Sequence, residues 1–124
     1  MTFDWSNYLT VAERLASGDL RIAEEEACLR SAISRAYYAV FGMARSHARQ
    51  DRVRTRMSGA EHGEIVVFFS RRYGAVGEEI AAQMNNLRRL RNRADYDDVF
   101  EELEESSLDS LSAARDVLAL LATL

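Results

Sequence analysis

From residue 88 to residue 96 the chain reads Arg-Arg-Leu-Arg-Asn-Arg-Ala-Asp-Tyr, four guanidinium groups followed by a carboxylate and a phenol. A guanidinium fork meets a phosphate through two parallel hydrogen bonds, where an ammonium offers only a point charge. The chemistry this points to is recognition of a phosphate, on RNA or on a nucleotide, through Arg88, Arg91, Asn92 and Arg93, with Tyr37, Tyr38 or Tyr73 as stacking groups. A second basic stretch, residues 45–56, holds five arginines against Asp51 alone. The competing reading is that these arginines coat solvated faces and pair with the acidic stretch 95–105, which has seven carboxylates and no cation.

These groups need helices to hold them. The 124 residues contain no proline and no lysine, so all 16 cations are arginine, against 20 acidic residues for a net charge of −4. Without proline no position is barred from a helix interior. The periodicity predicts helix one over about Asp4 to Ser17 with Gly18 as its stop, and helix two from a cap at Asp19 to about Ala48. Leu29, Ile33, Ala36, Val40, Met43 and Ala44 form its apolar arc. Arg49 to Ala60 reads as a loop. Helix three covers Glu61 to Tyr73 despite the β-prone Ile65-Val66-Val67-Phe68-Phe69, because no other segment could pair with that run as a strand. Gly74 to Gly77 is expected to be a tight connection, helix four to run from Glu78 to Ala94 or slightly beyond, and helix five from Ser107 to Thr123 with Leu108, Leu111, Leu118 and Leu121 on one side. The expectation is an all-α, antiparallel four- to five-helix up-and-down bundle, one domain over residues 1–124.

Two placements stand out on that framework. Arg91 falls within about 40° of Ile80, Met84 and Leu87 on the helix-four wheel, inside the apolar arc. A cation there needs a carboxylate or a partner molecule, and Asp95, one turn on, is the local candidate. On helix two, opposite the apolar arc, Arg30, Ser34, Tyr38 and Arg45 form a polar and aromatic stripe that suits a dimer face or a groove wall.

Several constellations are missing. Neither His47 nor His62 has the glutamate spacing of a di-iron bundle, zinc-hydrolase spacing does not occur, and Cys28 is the single cysteine, so no metal or other cofactor is expected. A phosphate-cradling loop ending in Gly-Lys cannot form without lysine. Cys28 reads as packed, and His62 as structural rather than as a general base. The composition, 48% hydrophobic and 29% charged, excludes a disordered chain, and no run is long enough for a membrane span or shaped like a signal peptide, so a cytoplasmic location is expected.

Three segments in order carry a resemblance: Ser34-Arg35-Ala36-Tyr37-Tyr38-Ala39-Val40-Phe41, then His62-Gly63-Glu64-Ile65-Val66-Val67-Phe68-Phe69 leading to Tyr73-Gly74-Ala75-Val76-Gly77, then Leu90-Arg91-Asn92-Arg93-Ala94-Asp95-Tyr96-Asp97. Together they resemble the HEPN superfamily, and in particular its small stand-alone bacterial members. The resemblance implies a helical bundle that forms homodimers and is often encoded beside a minimal nucleotidyltransferase as a toxin–antitoxin pair. It also implies a metal-independent ribonuclease activity in many members, in which an arginine holds the scissile phosphate and a histidine four to six residues later handles protons. On this chain it extends the phosphate-binding candidates to Arg35 and Tyr38.

The chain departs from that motif, since no histidine follows Arg89, Arg91 or Arg93. Histidine is the side chain suited to both accepting and donating a proton near neutrality. The expectation is therefore a dimer that binds RNA or nucleotide phosphate with weak or absent catalysis. One alternative is a ribonuclease using Arg91 with Asp95 or Tyr96 as the base, and another is a purely structural dimerisation module. Tyr96 is the residue that best matches the tyrosine that some family partners adenylylate.

Overall fold

A computed structural model describes residues 2–18, 24–51 and 60–124. The described residues form five helices and no strand: α1 (Asn7–Ala16), α2 (Glu25–Gln50), α3 (Glu61–Arg72), α4 (Gly74–Tyr96) and α5 (Leu103–Leu121). The expected cap at Asp19 and the arginines at 52, 54 and 56 lie outside the described residues.

Helix α2 is the axis of the bundle and contacts each of the other four. Its interior positions are mostly small: Ala32, Ala36, Ala39, Ala44 and Ala48 are fully buried, and Gly42 lies directly beneath the Trp5 ring. Small side chains let several neighbours approach one helix at once, while the larger Phe69, Ile65, Ile80, Met84, Leu87 and Val117 arrive from α3, α4 and α5 to fill the main core. Ile33, Leu90, Ala94 and Phe100 make a second, smaller cluster at the end of α4.

The contacts fix the directions. Arg30 and Ser34 near the start of α2 meet the end of α4, while Tyr37 and Phe41 meet residues earlier along it, so these two helices are antiparallel. His62 opposite Asn85, with Phe69 against Gly77, makes α3 and α4 antiparallel as well. The all-α antiparallel bundle expected from periodicity is the one observed, including a helical 65–69 run.

Four details differ. The 74–77 segment is not a connection: Gly74 alone turns the chain with φ +59°, as Gly18 does after α1 with φ +80°, and α4 already runs through Gly77. Helix α5 starts at Leu103, four residues earlier than expected, because Glu104 and Glu105 are favoured in a first turn rather than excluded from it. Leu108 lies on the solvent side of α5, at 62% exposure, while Leu111 and Leu121 face the core. Arg49 and Gln50, expected to open a loop, instead complete α2, and residues 52–59 of that expected loop lie outside the described residues.

Candidate functional site

The outward face of α4 is divided by its helical spacing. Arg88 and Arg91, three residues apart, project on the same side, toward α2 and the start of α3. There they meet Tyr37, Tyr38, Phe41, Glu61 and His62, and these seven residues enclose a cleft of about 180 Å³. One wall is aromatic: Tyr37 and Phe41 stack at 5.9 Å, and His62 lies parallel to both, 5.7 Å from Tyr37 and 6.4 Å from Phe41. The opposite wall is cationic.

Arg91 is the most constrained of the cations. Its Nε lies 2.8 Å from Asp95 Oδ2, yet the N–H is turned off that oxygen and makes no aligned hydrogen bond, and Nη1 donates to Asn92 Oδ1 at 3.1 Å. The guanidinium stands 5.2 Å from the Tyr38 ring, 5.7 Å from Tyr96 and 5.8 Å from Tyr37. Burial works against its charge, but Tyr38, Asp95 and Tyr96 outweigh this and hold its pKa above the ordinary arginine value. The position inside the apolar arc is thus resolved by the carboxylate one turn on, and the side chain stays 19% exposed at the cleft. Ser34 Oγ donates to the same Asp95 oxygen at 3.4 Å.

His62 is buried, with both ring nitrogens engaged. Nδ1 is 2.7 Å from the Tyr37 hydroxyl and Nε2 is 3.2 Å from Asn85 Oδ1. Burial pushes its pKa below the ordinary histidine value, the Asn85 hydrogen bond opposes that shift, and the Arg88 charge adds to it. Burial also pushes the Tyr37 hydroxyl up to about 12. Both groups are therefore neutral near pH 7, and among the described residues that line the cleft the positive charge comes from Arg88 and Arg91. The Glu61 carboxylate at its edge lies within 3.4 Å of Arg45 Nη1 and 3.3 Å of Arg49 Nη2.

The remaining candidates from sequence scatter. Asn92 is beside the cleft through Arg91. Asp95 and Tyr96 line a separate hollow with Glu26, Arg30, Asp97 and Asp98, and Tyr96 is 72% exposed. Arg93 turns to the other side of α4, over the Phe100 ring at 4.1 Å and 3.5 Å from Asp97. Arg35 packs between Tyr8 of α1 and Tyr38. The α2 stripe is an internal contact over much of its length. Arg30 closes the end of α4, donating from Nη1 to the carbonyls of Asp97 at 2.6 Å and Ala94 at 3.0 Å, and Arg45 stacks on Trp5 and Phe41.

Sequence reasoning placed Arg88, Arg91 and Tyr38 in the candidate site but missed Phe41, His62 and Asn85. Phe41 and His62 belong to other helices than Arg91, and the one available signal was chemical, a histidine at the start of a helix with no evident surface role. Among the described residues no group of histidine, cysteine or carboxylate side chains is arranged to hold a metal ion, and no helix is long and apolar enough to cross a membrane.

Comparison with known proteins finds no match among curated sequences and none among solved structures. A family model for the HEPN domain matches residues 13–124, which takes in α2 to α5, the last turn of α1 and every residue of the cleft. The three motifs, the five-helix bundle and this match agree, and the chain belongs to the HEPN domain family.

Proposed function

We propose that this HEPN-family chain binds the phosphate of RNA or of a nucleotide in the cleft between α2, α3 and α4, as a homodimeric component of a toxin–antitoxin or defence module. The observation that carries the reading is the pairing of two guanidinium groups, Arg88 and Arg91, with the Tyr37, Tyr38 and Phe41 rings around one hollow. A phosphate takes its charge complement from the arginines, and an attached base or ribose finds an apolar, π-rich surface beside it. Asn92, already bonded to Arg91, adds an amide at the rim. The helix-four motif has no histidine, so cleavage of the kind in which Arg91 works with a following imidazole is weak or absent. A homodimer and a minimal nucleotidyltransferase partner are the associations that the family resemblance supports.

The test is binding of a fluorescent single-stranded RNA oligonucleotide, with inorganic phosphate and AMP as competitors. Each of Arg88→Ala and Arg91→Ala is expected to weaken binding about 10-fold or more, as loss of a charge-assisted contact does. The slope of log affinity on log salt should flatten by about 0.7 per arginine removed. Absence of phosphate-competed binding, together with unchanged partner binding or cell toxicity in Arg91→Ala, sinks the proposal.

A second reading draws on the Arg91 contact with Asp95 inside one subunit, which also suits a structural dimerisation module. On that reading Arg91→Ala lowers stability and leaves RNA binding where it was.

A further inference from the structure

Six arginines among the described residues lie over aromatic rings: Arg30, Arg35, Arg45, Arg72, Arg91 and Arg93. Five of them also meet an oxygen within the bundle. Arg30 reaches the carbonyls that end α4, Arg45 reaches Glu61, Arg72 reaches Asp51, Arg91 reaches Asn92 and Asp95, and Arg93 reaches Asp97. Arg35 meets none among the described residues, although it is half-buried.

Its guanidinium stands 4.9 Å from the Tyr8 ring and 5.0 Å from the Tyr38 ring, and Tyr8 is itself braced edge-on by Phe3 and Trp5 at 5.4 and 5.5 Å. The rings fix the side chain, while the N–H donors around its edge have no partner in the bundle. An immobilised guanidinium with unmet donors is a preorganised anion contact, because the rotamer freedom that binding would remove has already been lost in folding. Tyr38 links this group to the cleft. Arg35 meets that ring from the α1 side, where Tyr8 lies, and Arg91 meets it from the α4 side at 5.2 Å. Asp95 faces Arg91 at 2.8 Å, but no carboxylate faces Arg35 among the described residues. Tyr8 also precedes residue 13, where the family match begins, so the outer support of Arg35 comes from a stretch that the match does not reach.

We infer that Arg35 holds a second phosphate beside the one on Arg88 and Arg91, and that the ligand of this face is a single-stranded oligonucleotide and not a mononucleotide. The inference rests on the phosphate-binding reading above. A nucleoside diphosphate joins its two phosphates through one bridging oxygen, too close to reach cations that meet Tyr38 from different helices. Successive phosphodiesters have a ribose between them and can follow the surface from Arg91 past Tyr38 to Arg35. Tyr8 is a positioning residue, which acts on the ligand through Arg35.

The experiment sets inorganic phosphate, AMP, ADP and the dinucleotide pApA in competition with a fluorescent single-stranded RNA oligonucleotide on the full chain. In the wild type pApA is expected to compete about 10-fold better than AMP, as one further charge-assisted contact allows, with ADP within about 2-fold of AMP. Arg35→Ala should abolish the preference for pApA, leave inorganic phosphate and AMP unchanged, and flatten the oligonucleotide's slope of log affinity on log salt by about 0.7. Tyr8→Leu should act in the same direction, and Tyr8→Phe should behave as wild type, since the ring and not the hydroxyl holds the guanidinium. A wild type that binds pApA no better than AMP, or ADP as well as pApA, overturns the inference and leaves the binding proposal standing. So does a preference for pApA that survives in Arg35→Ala. If that variant does not fold, equal affinities of Tyr8→Leu and Tyr8→Phe for pApA overturn it instead. No RNA binding by the wild type overturns the binding proposal and this inference together.

Discussion

Replacing Arg30 should unfasten the end of the helix that carries the cleft's arginines. The guanidinium sits where four carbonyls at the end of α4 and the following turn converge: Asp97 at 2.6 Å, Ala94 at 3.0 Å, Asp98 at 3.4 Å and Arg93 at 3.5 Å. Only the first two are short enough to count in full. With the side chain 18% exposed, each contributes toward the lower end for hydrogen bonds to a charged group, about 1.5 kcal/mol, so Arg30→Ala should cost about 3 kcal/mol. At about 2.1 cal/mol/K per residue, a chain of this length unfolds with an entropy near 260 cal/mol/K, and 3 kcal/mol becomes a Tm lowered by about 12 °C. Arg30→Lys, which keeps the charge on the helix end but cannot span the carbonyls, should lose about half as much. The assay is thermal unfolding followed by circular dichroism, with amide hydrogen exchange at residues 94–98 as the local readout. A Tm within about 2 °C of wild type for Arg30→Ala would refute the claim that this side chain secures α4.

Other consequences are open to measurement. Gly42→Ala places a methyl group into the Trp5 ring, which must move, and should cost about 1–3 kcal/mol; because Trp5 is the only tryptophan, its emission reports the displacement directly. Phe100→Ala should cost about 3 kcal/mol in urea unfolding, since Phe100 is the one aromatic ring of the small cluster with Ile33, Leu90 and Ala94. His62 has a folded-state pKa below its unfolded value, so the unfolded chain binds the extra proton first; its contribution to stability is complete above about pH 6.5 and is lost as pH falls toward the folded value. Stability should therefore decline on acidification over that window, and His62→Gln should remove part of the slope. An equal slope in both proteins would show that other groups carry it.

The helices were legible because burial imposes a period on each of them independently. Ile80, Met84, Leu87, Leu90 and Ala94 mark α4 from local spacing alone, and the structure buries all five. The boundaries were less so. Gly74 and Gly77 look alike in sequence, yet one turns the chain and the other is a buried helical residue pressed against the Phe69 carbonyl. The acidic run before α5 reads as a solvated loop until its glutamates are seen to occupy the positive end of a helix. At the site, Arg88 and Arg91 share a face by spacing, so half of the cleft can be written down from α4. The other half cannot. Tyr37 lies 25 residues from His62, and no local pattern records that α2 and α3 bring them within hydrogen-bond distance. Arg35 enters the candidate set through the family resemblance and Arg93 through its charge, and neither lines the cleft: Arg35 packs between Tyr8 and the Tyr38 ring, and Arg93 lies across Phe100.

That last arrangement recurs. Arg30, Arg35, Arg45, Arg72, Arg91 and Arg93 each lie within 6 Å of a ring centroid, a stacking that a planar guanidinium makes better than an ammonium. One consequence is chemical addressability. Amine-directed acylation or cross-linking finds no lysine anywhere in these 124 residues. An arginine-selective dicarbonyl should instead grade the guanidiniums by their surroundings, reaching Arg88 on its exposed side of α4 before Arg91 beneath its three tyrosines. The order of adduct formation, read by mass spectrometry, would map the cleft without a single mutation.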